Sequence, residues 1–139
     1  MPHQPTHAQS ARLALDKIRR EVHCASAVTS ASADVVSETM PTQCTSNGGH
    51  TVNWCAVSVA TNRYALYRTV DTTCNSSGAQ QVDYLMSNSV FTATPATTTK
   101  LANLAVDFKV DLKSPSTCAP SNDCYELADN IYLRNSVRG

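Results

Sequence analysis

Glycine is scarce in this chain, with four in 139 residues. A phosphate-cradling loop needs backbone free of Cβ, so that kind of nucleotide site is excluded. Large aromatics are scarce too: two Phe and one Trp leave Val, Leu, Ala and Tyr to fill the interior. Charged residues make up 16%, below the usual quarter. Lys+Arg and Asp+Glu balance at 11 each, which provides no field for nucleic acid or an anionic membrane. No run is long and apolar enough to span a bilayer. CxxC and CxH pairs are missing, which excludes the usual zinc spacings. Also missing are the G-x-S-x-G, S-x-x-K and H-E-x-x-H patterns, so the chain is expected not to be an enzyme. Neither a metal nor a cofactor is expected.

Six cysteines stand out instead, at Cys24, Cys44, Cys55, Cys74, Cys118 and Cys124. An even number without metal spacing points to disulfides and an oxidising, extracellular compartment. Many pairings are open to six cysteines. The nearest-neighbour set is Cys24–Cys44, Cys55–Cys74 and Cys118–Cys124. Each such bridge removes about 2–3 kcal/mol of unfolded-chain entropy, which matters in a core poor in aromatics. The export signal is expected on a segment outside this sequence, because MPHQPTHAQS has neither leader nor span character. Membrane contact is expected only through such a segment.

The length supports a single domain over 1–139. It divides into a flexible start over 1–5, a helix over 6–23 and a β-rich part over 24–139. Thr6 is a candidate N-cap, and Ala11, Leu15, Ile18 and Val22 recur at helical spacing with Ala14 alongside. Leu15, Ile18 and Val22 are the expected helix–sheet packing residues. Lys17, Arg19, Arg20 and Glu21 take the other face, with Asp16–Arg20 as an i,i+4 ion pair. The segment 25–39 is small and polar, with a short strand at Ala33–Val36 inside a loop. Thr51–Val59 and Tyr64–Val70 alternate about a turn at Thr61–Arg63 and form a hairpin. Another strand is expected over Gln81–Ser87. Leu104, Val106, Phe108, Val110 and Leu112 alternate along the clearest half-buried strand. Tyr125–Leu127 and Asn130–Arg134 close the sheet, which is expected to have four to seven strands.

Candidate chemistry is thin. His3 and His7 fall in the polar start. His23 beside Cys24 has the makings of an activated thiolate, but a helix-ending histidine next to a bridged cysteine is the expectation. Asp123, Glu126, Asp129 and Asn130 gather oxygens that calcium uses, though a solvated polar loop is expected. Asn75-Ser-Ser77 is a glycosylation sequon in a eukaryotic secretory setting only.

The order of pieces resembles the type IV pilin-like proteins, the minor pilins and pseudopilins. The residues that carry it are Arg12, Ala14, Leu15, Asp16, Ile18, Arg20, Glu21 and Val22, then Val52–Cys55, Leu66–Arg68, Phe91-Thr92 and Leu133–Asn135. The family's cleaved leader and apolar half-helix are not in this sequence. The resemblance implies an α+β fold, with an N-terminal amphipathic α-helix packed on a disulfide-stabilised antiparallel β-sheet. It also implies a structural subunit of a type IV pilus, type II secretion pseudopilus or competence pseudopilus. Its partners would be other pilin or pseudopilin subunits in a cell-surface filament, with no nucleic acid. Two rivals stand beside it. One is a secreted, disulfide-stabilised adhesin or carbohydrate-binding module of β-sandwich type, in which the helix is incidental and Leu15→Glu with Ile18→Glu leaves the fold intact. The other is a small secreted hydrolase, which requires His23 or His50 near a Ser or Asp in a cleft.

Overall fold

Helix α1, His7–Cys24, starts at a capping box. The Thr6 hydroxyl accepts from the Gln9 N–H at 3.1 Å, and Gln9 Oε1 accepts from the Thr6 N–H at 2.9 Å. Such a cap contributes about 1 kcal/mol. Ala11, Ala14, Leu15, Ile18 and Val22 form the buried stripe that the 3.6-residue repeat requires. Asp16 pairs with Arg19 at 2.7 Å, and not with Arg20 as the spacing suggested. Arg19 is drawn there because its guanidinium also reaches Asp129 at 2.7 Å.

A computed structural model describes residues 6–44, 49–111 and 124–134. After α1 come β1 (Ala27–Ser32), β2 (Val35–Met40), a 3₁₀ turn (Thr42–Cys44), β3 (His50–Ala60) and β4 (Arg63–Val70). The remaining strands are β5 (Ala79–Leu85), β6 (Phe91–Thr94), β7 (Asn103–Asp111) and β8 (Cys124–Tyr132). All pairings are antiparallel. The sheet runs β1-β2-β3-β4-β5-β7-β6, with β8 on the other side of β7.

The α+β, pilin-like plan is overturned. The chain is mostly antiparallel β, a curled half-barrel of eight strands, with one α-helix among the described residues. The resemblance to pilin-like proteins fails with it, since no long helix serves as the spine of the molecule. Two features produce the difference. The Ser/Thr/Ala segment 27–40 is not a loop but a full hairpin, β1–β2, which lengthens the sheet. Bulges then bend the sheet, at Thr29/Ser32, at Ser58/Ala60 and twice between Tyr64 and Tyr67. The curl brings the β1–β2 turn back to β6, where the Ala33 carbonyl accepts from the N–H groups of Val90 and Phe91.

Inside the curl, Trp54, Leu66, Leu85, Phe91, Leu104, Phe108 and Leu133 pack around Ile18 and Val22. Period-two alternation puts Val52, Trp54 and Ala56 of β3 inward, while Cys55 faces outward. Cys55, Ala65 and Tyr67 form a second, smaller cluster on the convex face. Two bridges brace the layers. Cys24–Cys44 ties the end of α1 to the turn after β2, and Cys55–Cys74 pins the β4–β5 loop against β3. Cys118 and the side chains of Cys124 and Leu112 lie outside the described residues, as do His3 and Asp123. β8 is one continuous strand where two pieces were expected.

Candidate functional site

Along the convex face of β2 and β3, a groove of about 450 Å³ opens beside the β4–β5 loop. Its walls carry Ser37, Thr51, Asn53, Asp71, Thr72 and Thr73, with Cys74 and Val35 at the floor. Strand alternation supplies half of these groups, because Ser37, Thr51 and Asn53 point away from the core that holds Val36, Val52 and Trp54. The loop supplies the rest.

That loop is fixed at several points. Asp71 adopts φ 60°, a left-handed conformation costing about 1 kcal/mol for a residue with a Cβ. It is held there by its own N–H donating to the Thr51 carbonyl at 2.7 Å, and by the Thr51 N–H donating to Asp71 Oδ1 at 2.8 Å. Asp71 Oδ2 meets His50 Nδ1 at 2.6 Å. The Thr51 N–H, and then His50, hold the Asp71 carboxyl below the ordinary range. Thr72 is gripped through its carbonyl, which accepts from Asn53 Nδ2 and from the Thr69 hydroxyl, both at 2.8 Å. Ser37 donates to Asn53 Oδ1 at 2.5 Å and so orients that amide. What this leaves pointing outward is a rigid row of hydroxyls with one carboxylate, and the side chains of Thr51, Thr72 and Thr73 are exposed. Opening the Cys55–Cys74 bridge with paired serine substitutions lowers the unfolding free energy by about 3 kcal/mol in urea titrations. It also speeds amide exchange in 71–74 more than in β7.

A second polar assembly lies inside the curl. Glu21 of α1 accepts from Trp54 Nε1 at 2.8 Å and from Arg68 Nε and Nη2 at 3.0 and 2.6 Å. Glu38, wholly buried, accepts from the same indole at 3.3 Å. Burial, then the neighbouring Glu21 carboxyl, pushes Glu38 well above the ordinary carboxylic range, against the pull of Trp54 and Arg68. Glu38 Oε2 meets no donor, so it is best satisfied as the O–H of a neutral acid. Two carboxyls beside an arginine have the composition of an acid–base pair. Glu38 is buried behind the sheet, however, and the Glu21 side chain keeps only 11% exposure.

The histidines and carboxylates singled out in the sequence do not converge. His7 stacks on Tyr84, with ring centroids 4.4 Å apart. His23 stays on the helix, its pKa lowered by burial and by Arg134 and Arg19, and Cys24 beside it is bridged. His50 pairs with Asp71, but among the described residues no hydroxyl or thiol bonds to its other ring nitrogen. Glu126 points outward, where Asp107 raises its pKa, while Asp129 turns to Arg19 on the helix side. Asn130 is exposed, and its N–H donates to Asp129 Oδ1. Among the described residues no three metal-binding side chains come together. Leu15, Ile18 and Val22 lie in the core beneath the sheet. The convex groove is not legible in the sequence because its walls come from three separate elements. The available signal was Asn53 and Cys55 on one face of a strand, with Cys74 downstream.

No family model, curated protein or solved structure matches this chain. The resemblance to pilin-like proteins therefore finds no support in relatives, just as it finds none in the fold.

Proposed function

We propose that this disulfide-stabilised β-rich domain is an extracellular, non-catalytic binding module that takes a polyhydroxylated ligand, a carbohydrate, in the convex groove. The observation that carries the proposal is the groove's locked rim. Ser37, Thr51 and Asn53 on β2 and β3, with Asp71, Thr72 and Thr73 on the loop, offer hydroxyl, amide and carboxylate groups, and the loop is held by a bridge, a left-handed Asp71 and five hydrogen bonds. A sugar presents the complementary donors and acceptors, and a pre-ordered loop binds it without a large entropic cost. Loops on a rigid β scaffold are where binding sites ordinarily sit. Two disulfides favour an oxidising compartment. Among the described residues no helix is long and apolar enough to cross a membrane. The adhesin-type alternative is kept at the level of function alone. Its β-sandwich architecture with an incidental helix does not fit a curl whose core contains α1.

The test is a glycan array probed with the labelled domain, followed by calorimetry on the best ligand. The expected result is binding of a neutral oligosaccharide that Thr51→Ala combined with Thr73→Ala weakens at least tenfold, while Thr94→Ala on β6 changes nothing. An array without hits, or equal binding by all three proteins, defeats the proposal.

A further inference from the structure

A different face carries unspent charge. Ser10, Leu13, Lys17 and Arg20 follow one another at helical spacing along α1, and they border the start of β5 at Gln80 and Gln81. Between helix and strand lies a groove of about 350 Å³ floored by Ala14. Most other arginines among the described residues are committed: Arg19 to Asp16 and Asp129, Arg63 to Asp83, Arg68 to Glu21, and Arg12 to the Tyr125 hydroxyl. Among the described residues, Lys17 and Arg20 have neither an ion pair nor a side-chain hydrogen bond. In a chain whose formal charges cancel, two uncommitted cations in one concavity form a local positive site, not part of a general basic surface.

The lining decides what fits. Two cations and a hydroxyl on α1 face two amides on β5, and among the described residues no aromatic ring lines the groove for a base to stack on. Among the described residues Leu13 is the sole large apolar group exposed there, too little to anchor a peptide by side-chain pockets. We propose that this groove binds an acidic polysaccharide, a chain whose carboxylate or sulfate groups are separated by hydroxyls. Lys17 and Arg20 take the anionic groups, Gln80, Gln81 and Ser10 take the hydroxyls between them, and Leu13 covers an apolar sugar face. The site shares no residue with the convex groove, so it stands or falls independently of that proposal.

The experiment uses the full chain and four probes: polygalacturonate oligomers, dextran sulfate, neutral dextran and poly-glutamate. Affinities are measured by calorimetry at two salt concentrations. The expected result is binding to one or both acidic polysaccharides, weakening with salt. Preference for polygalacturonate assigns the site to carboxylates, and preference for dextran sulfate assigns it to sulfates. Lys17→Gln with Arg20→Gln reduces affinity at least tenfold and flattens the salt dependence. Gln81→Ala, which leaves the charge unchanged, reduces it several-fold. The charge-matched control Lys100→Gln with Lys109→Gln leaves it within twofold. Binding of neither acidic polysaccharide overturns the proposal, as does an equal loss in the control. Poly-glutamate or neutral dextran bound as tightly overturns it as well, the first by making the site a general acidic-peptide surface.

Discussion

Between mildly acidic and alkaline pH the unfolding free energy of this domain falls, and Glu38→Gln removes most of that fall. The cause is the buried carboxyl beside Glu21. In the folded state Glu38 keeps its proton well above its ordinary value of 4.5, because burial and the Glu21 carboxyl oppose ionisation. In the unfolded chain the proton leaves in the ordinary range. The folded state therefore binds one more proton than the unfolded state between those two values. Its stability drops by about 1.4 kcal/mol per pH unit there, until Glu38 ionises in the fold as well. Stability from this group is complete below the ordinary range and is lost as pH rises. Glutamine fills the same space, donates to Glu21 and has no proton to lose, so its stability curve is flatter and lies above the parent's at pH 8. Asp71 and Asp83 act at the opposite end. Burial alone would raise Asp83, but Arg63 and the Tyr84 N–H outweigh it and hold it below its ordinary 3.8. Asp71 is lowered by the Thr51 N–H and His50. Their contributions are present above the ordinary range and fade as pH falls through their lowered values. Urea titrations from pH 4 to 9 measure the dependence, and parallel curves for parent and Glu38→Gln would refute it. Trp54 is the single tryptophan and its indole N–H touches both carboxyls, so its emission follows the same transition.

Ile18→Glu is expected to be the most damaging single change, costing about 4 kcal/mol or more. Ile18 is wholly buried among residues from α1 and the concave side of the sheet. A carboxylate there meets no pairing cation in the apolar stripe and must either ionise unpaired or fold around a neutral acid. Leu13→Glu, one and a half turns earlier and 63% exposed, is the matched control and should change stability by about 0.5 kcal/mol at most. Denaturation midpoints of the two variants decide the matter. Equal midpoints would show that α1 contributes no core.

These two positions also show what was legible in the chain. The Ala11–Val22 stripe was readable because a helix buries one face at a fixed repeat. β7 is readable because apolar and polar residues alternate along it, and the β3–β4 hairpin because two β-branched and aromatic runs flank the turn at Thr61–Arg63. The β1–β2 hairpin was not, since most side chains of Ala27–Ser32 stay in solvent and leave no apolar period. The polar centre of β8 hid it as one strand, because Asp129 faces the helix to meet Arg19. Glu38 carries a signal in the sequence itself. It sits between Val36 and Met40 on the inward side of a two-residue alternation. The curl itself depends on bulges and on one carbonyl, Ala33, bonding across the sheet, and no local pattern announces either. The convex groove is built from side chains far apart in sequence, so only the folded register could assemble it.

The Arg19–Asp129 contact reaches beyond the helix it anchors. β8 pairs only with β7 among the described strands, so its other margin is a place where a foreign segment could add and seed fibrous growth. Asp129 Oδ1 already occupies the Asn130 N–H, and Arg19 holds that carboxylate in position. A charged clamp thus stands where an incoming backbone would need a free donor, which disfavours polymerisation along that border in a crowded medium.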